Sequence, residues 1–231
     1  MLQSLFKAEK WRYERKYVIQ NLSLEGVRTV LKLHPALFSE IYHERRVNNI
    51  YFDSMNLTNY FDNVDGKSQR LKVRIRWYEE LFGFVKEPIL EIKIKNGLLG
   101  TKNSYQLTSL SVDEDMTIEH IHELFAQAEI PASLKFYLKS LSFSLLNSYQ
   151  REYFLSANGR FRITIDSGLR FFNLSPMGNI FLQETRNMAI IILEMKYDQD
   201  AADLADPIST SFPFRMTKSS KYISGINLLN D

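Results

Sequence analysis

The 231-residue chain has no cysteine, which rules out a disulfide frame, a thiolate metal site and a cysteine nucleophile, and fits a reducing compartment. It has no long apolar run. The longest, Met188 to Leu193, falls far short of the roughly 20 residues that span a bilayer. The first residues, MLQSLFKAEKWRYERKY, have no apolar core of the kind a signal peptide carries. Only six prolines and nine glycines occur, and no repeat or low-complexity linker divides the chain, so one domain over residues 1–231 is expected. Net charge is only +2, so any strong positive field must come from placement rather than surplus. The histidines at 34, 43, 120 and 122 show no ligand spacing. No glycine-rich phosphate loop, nucleophile elbow or kinase signature is present.

What is present is an alternation. Arg70 to Tyr78, RLKVRIRWY, puts Arg70, Lys72, Arg74 and Arg76 on one strand face and Leu71, Val73, Ile75 and Trp77 on the other. Cations stacked on one face repel one another unless something anionic lies against them. The pattern recurs. Lys10 to Ile19 groups Arg12, Glu14 and Lys16, and ILEIKIK after Pro88 groups Glu91, Lys93 and Lys95. Tyr149 to Phe154 groups Tyr149, Arg151 and Tyr153, and Arg160 to Asp166 groups Arg160, Arg162, Thr164 and Asp166. Ala189 to Asp198 groups Glu194, Lys196 and Asp198. Further strands are expected over Arg46 to Phe52, from Thr101 to near Leu107 after a turn bracketed by Gly97 and Gly100, and over Phe181 to Glu184.

Helices are expected from the Ser23 cap to about Leu33, at Met116 to Ala128 with Thr117 as cap, at Ser133 to Leu146, and at Ser219 to Leu229. A weaker helical pattern lies around Asp53 to Tyr60. Lys218 and Lys221 are expected together on the first turns of the last helix.

A solvated outer face would mix serine, threonine, glutamine and glutamate; here arginine and lysine dominate. The better fit is α+β: a closed antiparallel β-barrel tunnel whose lumen carries the charges, with helices packed on the apolar outside. A linear polyphosphate ligand would offset the cations, and arginine's planar fork suits phosphate oxygens. Glu14, Glu91, Asp166 and Glu194 read as ion-pair partners or as oxygen ligands for Mg²⁺ or Mn²⁺, with the two readings balanced for Glu14; Glu194 is the first metal candidate and Asp166 the second. A nucleic-acid partner is not expected, because the cations follow strand faces rather than one exposed stripe.

These residues resemble the VTC (vacuolar transporter chaperone) domain of polyphosphate polymerases, within the CYTH-like triphosphate tunnel superfamily. The motifs are ERKY (Glu14–Tyr17), NIYFD (Asn49–Asp53), RIRWY (Arg74–Tyr78), LEIKIK (Leu90–Lys95), YQREYF (Tyr149–Phe154), RITID (Arg162–Asp166), LEMKY (Leu193–Tyr197) and TKSSKYISG (Thr217–Gly225). The resemblance implies a tunnel that binds ATP and a divalent metal, usually Mn²⁺, and adds the terminal phosphoryl group of ATP to a growing polyphosphate chain. It implies phosphate-binding roles for Lys16, Arg74, Arg76, Lys93, Arg151, Arg162, Lys218 and Lys221. Lys102, Tyr149 and Arg70 would bind substrate, with Lys196 beside them, and Glu194 would bind metal. Two departures stand out. Arg12 occupies the first position of the superfamily's ExExK signature, which weakens a two-metal hydrolase, and Lys95 stands where polymerases can have histidine. Cytoplasmic localisation is expected, with any approach to the inner face of a membrane made through a separate partner.

Overall fold

The computed structural model describes residues 11–175, 181 and 184–230. The strands are β1 (Arg12–Ile19), β2 (Ser39–Asp53), β3 (Gln69–Tyr78), β4 (Gly83–Val85), β5 (Ile89–Asn96), β6 (Leu99–Gln106), β7 (Leu110–Val112), β8 (Ser142–Leu155), β9 (Phe161–Phe172), β10 (Glu184–Asn187) and β11 (Ile191–Asp198). The helices are α1 (Leu24–Lys32), α2 (Thr58–Val64), α3 (Ile118–Gln127), α4 (Ala132–Leu138), α5 (Ala205–Thr210) and α6 (Lys221–Asn230), with a 3₁₀ turn over Gln199–Leu204.

Nine strands form one sheet in the order β10-β9-β11-β1-β6-β5-β3-β2-β8, and β8 pairs back onto β9. That last pairing closes the sheet into an antiparallel ring, with β10 appended to β9; β4 and β7 make a separate ribbon. The weakest seam is between β1 and β6, which share only the pairs Arg12↔Gly100 and Tyr13↔Leu99. Beyond it the segment around Met216 and Thr217 fills the wall. Thr217 donates its backbone N–H to Lys16 O at 2.8 Å, and Tyr17 bridges Met216.

The register explains why the charges converge. Lys72 pairs with Lys93 and Arg74 with Glu91; Lys93 pairs in turn with Lys102; Lys16 pairs with Glu194, and Glu194 with Thr164. Paired positions share a face, so the polar sets of successive strands all line the inside of the ring. The alternate residues face out into two cores. Val73, Ile75, Leu90 and Ile92 pack with Ile121, Phe125 and Leu134 of α3 and α4. Tyr17, Ile163, Leu193 and Met195 pack with Val27 and Leu31 of α1 and with Ala205 near the chain's later helices.

α6 behaves differently. Its Tyr222 and Ile226 pack on Tyr51, Leu145, Tyr149 and Phe171, residues of the inner face, so α6 closes over one end of the bore. The approach needs a glycine. A Cβ on Gly225 would lie 2.5 Å from Leu145 Cδ2 and 2.6 Å from Phe171 Cδ1.

Several expectations need correction. β8 begins at Ser142, so the helix expected to Leu146 ends at Leu138; Ser142, Phe143, Ser144 and Leu145 alternate, and pairing along β2 and β9 overrides local helix preference. β2 starts at Ser39, seven residues earlier than expected, because its first half is exposed and interrupted by bulges. Gly100 lies within β6 rather than in the preceding turn, where Gly97 takes the positive φ of 59°. The helix near Asp53 starts at Thr58. Asp53 Oδ1 accepts from Asn59 N and Asp53 Oδ2 from Tyr60 N, each at 2.9 Å. β10 starts where the strand expected over Phe181 to Glu184 ends, and residues 182–183 of that expectation lie outside the described residues, as does Lys10. Lys218 precedes α6 instead of sharing its first turns with Lys221.

Gly225→Ala is therefore expected to cost about 1–3 kcal/mol, because both neighbours are buried and neither has room to swing away. Urea unfolding checks this: a lowered midpoint is expected, and an unchanged one would mean α6 sits less tightly on the barrel.

Candidate functional site

The bore is built from ion-paired cations and a smaller number of carboxylates. Glu91, on β5, gathers one group: Arg74 Nη2 at 2.6 Å, Arg76 Nη1 at 3.4 Å and Lys102 Nζ at 2.5 Å. Arg76 also donates to Asn49 Oδ1 at 3.0 Å and to the Tyr149 hydroxyl at 3.4 Å. Asp166 gathers a second: Arg151 grips it with Nε at 2.5 Å and Nη2 at 2.7 Å, and Lys221 donates to Oδ2. Lys221 also sits 4.6 Å above the Tyr149 ring. A third group joins Glu14 and Glu194. Lys93 donates to both Glu14 oxygens at 2.5 and 2.7 Å, while Glu194 holds Lys16 at 3.2 Å and Lys196 at 2.7 Å.

These groups titrate as a crowded, partly desolvated cluster. Burial alone would raise Glu14, but Lys93, Lys196 and Lys16 together outweigh it and bring the carboxyl to about 2. Asp166 is likewise brought to about 2 against the cost of burial, by Arg151 and then Lys221. Burial would raise Glu194 and Glu91 too, yet Lys16 and Lys196 hold the first, and Arg74 and Arg76 the second, well below the carboxylate range. Lys93 goes the other way. Burial, helped by repulsion from Lys16 and Lys196, lowers it to about 8 despite Glu14. Tyr149 falls to about 8, because Arg151 and Arg76 overcome its burial. Lys16, Arg74 and Lys93 keep 23%, 18% and 27% of their side-chain area exposed although walled in by strands.

One cation went unselected by motif matching. Lys72 lies among Lys16, Lys93, Arg70 and Arg74, and its pKa is driven well below that of a free lysine, by burial first and then by those neighbours. Its ammonium donates to Ser220 Oγ at 2.7 Å and makes no ion pair among the described residues. The alternation of β3 was the signal available, since Lys72 shares its face with Arg70 and Arg74. Next to it, Arg70 has a buried Nε with no partner among the described residues. Lys95, also on this face, is lowered by burial. Positive charge is therefore least compensated at the Arg70, Lys72 and Lys95 end of the β3–β5 wall.

Of the residues expected to act, Lys16, Arg74, Arg76, Lys93, Lys102, Tyr149, Arg151, Lys196, Lys221, Asp166 and Glu194 are joined by the contacts above, and Arg70 stands beside Lys72. Arg162 and Lys218 are exposed and make no ion pair among the described residues; Arg162 shares the inner face by its pairing with Lys196, while Lys218 lies on the connecting segment before α6. A surface hollow of about 670 Å³, lined by residues such as Leu22, Gln150, Ser167 and Ile191, contains no lysine or arginine and does not suit phosphate.

Among the described residues no three metal-binding side chains cluster. Glu14 and Glu194 do sit close enough to influence each other, and the buried Thr164 hydroxyl, paired in register with Glu194, has no partner among the described residues. Such a donor set fits Mg²⁺ or Mn²⁺, which are commonly held by one or two carboxylates with phosphate oxygens and water completing the shell. Cations engage both oxygens of all three carboxylates; Asp166 fits less well, because the two-pronged Arg151 guanidinium grips it along with Lys221, whereas Glu14 and Glu194 are met by lysine ammonium groups.

The class of protein this defines is a closed antiparallel β-tunnel lined by arginine, lysine and a few acids. The sequence matches the VTC domain family over residues 11–230, and the chain belongs to that family. Comparison with curated proteins gives no match. Among solved structures, the fold is similar to that of a candidate adenylate cyclase from Vibrio parahaemolyticus, with TM-score 0.53 and 11% identity over 93% of this chain and 98% of the other. It is also similar to a candidate adenylate cyclase from Bacillus halodurans, with TM-score 0.50 and 15% identity over 91% and 94%. At these identities the likeness speaks for the fold alone. No helix among the described residues is long and apolar enough to cross a membrane.

Acid should destabilise the fold. The unfolded chain binds more protons than the native one once pH drops toward ordinary carboxyl values near 4, because Glu14 and Asp166 titrate at about 2 when folded. Their stabilisation is present above about pH 5 and is lost as pH falls toward 2. Urea midpoints are expected to drop between pH 6 and pH 3, with a smaller drop in Asp166→Asn; identical slopes would remove Asp166 from the balance.

Proposed function

We propose that this chain is an ATP-dependent polyphosphate polymerase that works inside its basic bore. The observation that carries this reading is the β3–β5 wall, where Lys72 is paired in register with Lys93, lies in the field of Lys16, Arg70 and Arg74, and makes no ion pair among the described residues. Such crowding is costly unless a polyanion lies along it, and a linear phosphate chain matches a row of cations on one strand face.

Phosphoryl transfer depends on positioning and charge neutralisation more than on a strong protein base. In this reading Arg74, Arg76 and Lys93 hold the triphosphate, with Lys16, Arg151 and Lys221 on the facing strands and α6. The terminal oxygen of the polyphosphate chain attacks the γ-phosphorus, the bond to the β-phosphate oxygen breaks, and ADP leaves. The attacking oxygen is already an anion, so no general base is needed. Glu194, with Glu14 and the Thr164 hydroxyl, would hold Mn²⁺ or Mg²⁺, which when bound supplies further neutralisation of phosphate charge. Glu91 and Asp166 serve to aim guanidinium groups. Arg12 supports transfer over two-metal hydrolysis: where the superfamily's hydrolases carry a carboxylate, this chain has a guanidinium donating to Asp198 at 3.1 Å. ATP and polyphosphate are the ligands this reading requires. A membrane protein that passes the product onward would have to be a separate partner, with this chain on the cytoplasmic side.

Incubation with ATP and Mn²⁺, with products resolved by length, tests the reading. Chains of many phosphates are expected; free phosphate alone would indicate a hydrolase, and no product would remove the enzymatic reading. Glu194→Gln should abolish turnover while leaving triphosphate binding measurable. Lys72→Met should have opposite effects on two readouts. Without added anion it should raise the melting temperature, because it relieves buried repulsion. It should weaken tripolyphosphate binding about tenfold or more, as expected for a lost charged hydrogen bond. A lower melting temperature together with unchanged affinity would contradict the role given to this wall.

A further inference from the structure

The inner face carries an aromatic cluster that the phosphate chemistry does not use. The guanidinium carbon of Arg45 lies 5.2 Å from the centre of the Tyr42 ring and 5.8 Å from those of Tyr78 and Tyr153. Tyr42 and Tyr153 meet edge to face, 5.7 Å apart at 89°. β2, β3 and β8 all contribute.

The local backbone is arranged for this. In a regular strand Tyr42 and Arg45, three residues apart, would point to opposite faces. The pairing of β2 with β8 is irregular between Glu40 and Tyr42 and again between Tyr42 and Arg45, and both side chains end up beside Tyr153. The result is open to solvent: Tyr42 is 54% and Tyr78 39% exposed. Arg45 is exposed too and makes no ion pair among the described residues.

Its position relative to the phosphate-binding cations is specific. Tyr153 follows Arg151 by two residues on β8, and Tyr78 follows Arg76 by two on β3, a step of about 7 Å along each strand. Arg151, Tyr149 and Arg76 are among the groups whose charge Tyr153 feels. The tyrosines thus continue two lines of side chains that begin with the arginines. α6 covers the other end of β8, at Leu145, so the cluster lies toward the opposite mouth.

A nucleotide has the matching layout, with a run of phosphates ending in a flat aromatic base. Bases stack on tyrosine and beneath arginine planes, largely without regard to identity. We propose that Tyr42, Tyr78, Tyr153 and Arg45 form the stacking platform for the nucleobase of a nucleoside triphosphate whose phosphates run toward Arg76 and Arg151. The proposal rests on the triphosphate reading of the bore. It adds that the base, and not the phosphates alone, contributes to affinity. It also predicts weak discrimination between adenine and guanine, since the platform offers ring faces rather than a ring of hydrogen-bonding groups.

Calorimetric titration of the full chain with ATP and, separately, with inorganic tripolyphosphate tests it. Tyr42→Ala is expected to weaken ATP binding about five- to hundredfold, the span reported by base–aromatic stacking, and to leave tripolyphosphate binding within about twofold. Tyr42→Phe keeps the ring and should keep the ATP affinity. Equal losses for the two ligands, or no loss for ATP, would overturn the platform while leaving the bore intact. Failure of the unaltered protein to bind either ligand would overturn the triphosphate reading, and the platform with it.

Discussion

Repulsion between like charges enclosed in one bore is the constraint that organises this molecule. Neighbouring strands bring Lys72 against Lys93 and Lys93 against Lys102, and a ring of strands leaves these side chains nowhere to diverge. The fold manages the problem with Glu14, Glu91, Asp166 and Glu194, each placed to serve more than one cation. All four are held ionised despite burial. Ion pairs of this kind are a poor source of net stability. Their evident use is to keep guanidinium and ammonium groups extended and aimed, so that phosphate oxygens meet donors already in position.

Closure has its own requirements. A barrel removes exposed strand edges and presents every second residue to the lumen. The outward residues then need cover, which α1, α3, α4 and α5 supply through two separate apolar cores. The β1–β6 seam is the exception, and the segment that fills it leads directly into the bore. Ser219 O accepts from Lys16 Nζ at 3.1 Å, and Ser220 Oγ accepts from Lys72. Wall repair, lysine positioning and closure of one end by α6 are thus a single continuous piece of chain. The two ends of the bore consequently differ in chemistry. One is covered by an apolar helix face, and the other opens beside tyrosine rings and the exposed Arg45.

Much of this was legible in the sequence, for a definite reason. Period-two alternation with charged residues on one side and branched or aromatic residues on the other fixes which side chains share the lumen, and RLKVRIRWY, LEIKIK and LEMKYD carry it. Ser23 and Thr117 were readable as caps because their side chains do accept from the backbone N–H groups of Gly26 and His120. The illegible parts are those where tertiary pairing decides. Ser140 to Leu146 is compatible with a helix until β2 and β9 claim it. The first half of β2 hides behind bulges and a polar surface, which is why Tyr42 and Arg45 gave no signal. Lys72 was visible on the face of β3, yet only the folded arrangement shows that Lys16, Lys93, Arg70 and Arg74 all act on it while its ammonium donates to Ser220.

The central claim is that the bore is short of negative charge in a way that linear phosphate satisfies. Thermal unfolding across a tripolyphosphate titration measures this directly, since a ligand that binds only the native state raises stability as RT ln(1 + [L]/Kd). The account predicts a saturable rise in melting temperature at submillimolar tripolyphosphate, well beyond that given by sulfate at matched ionic strength. Equal responses to the two anions, or none to either, would contradict it.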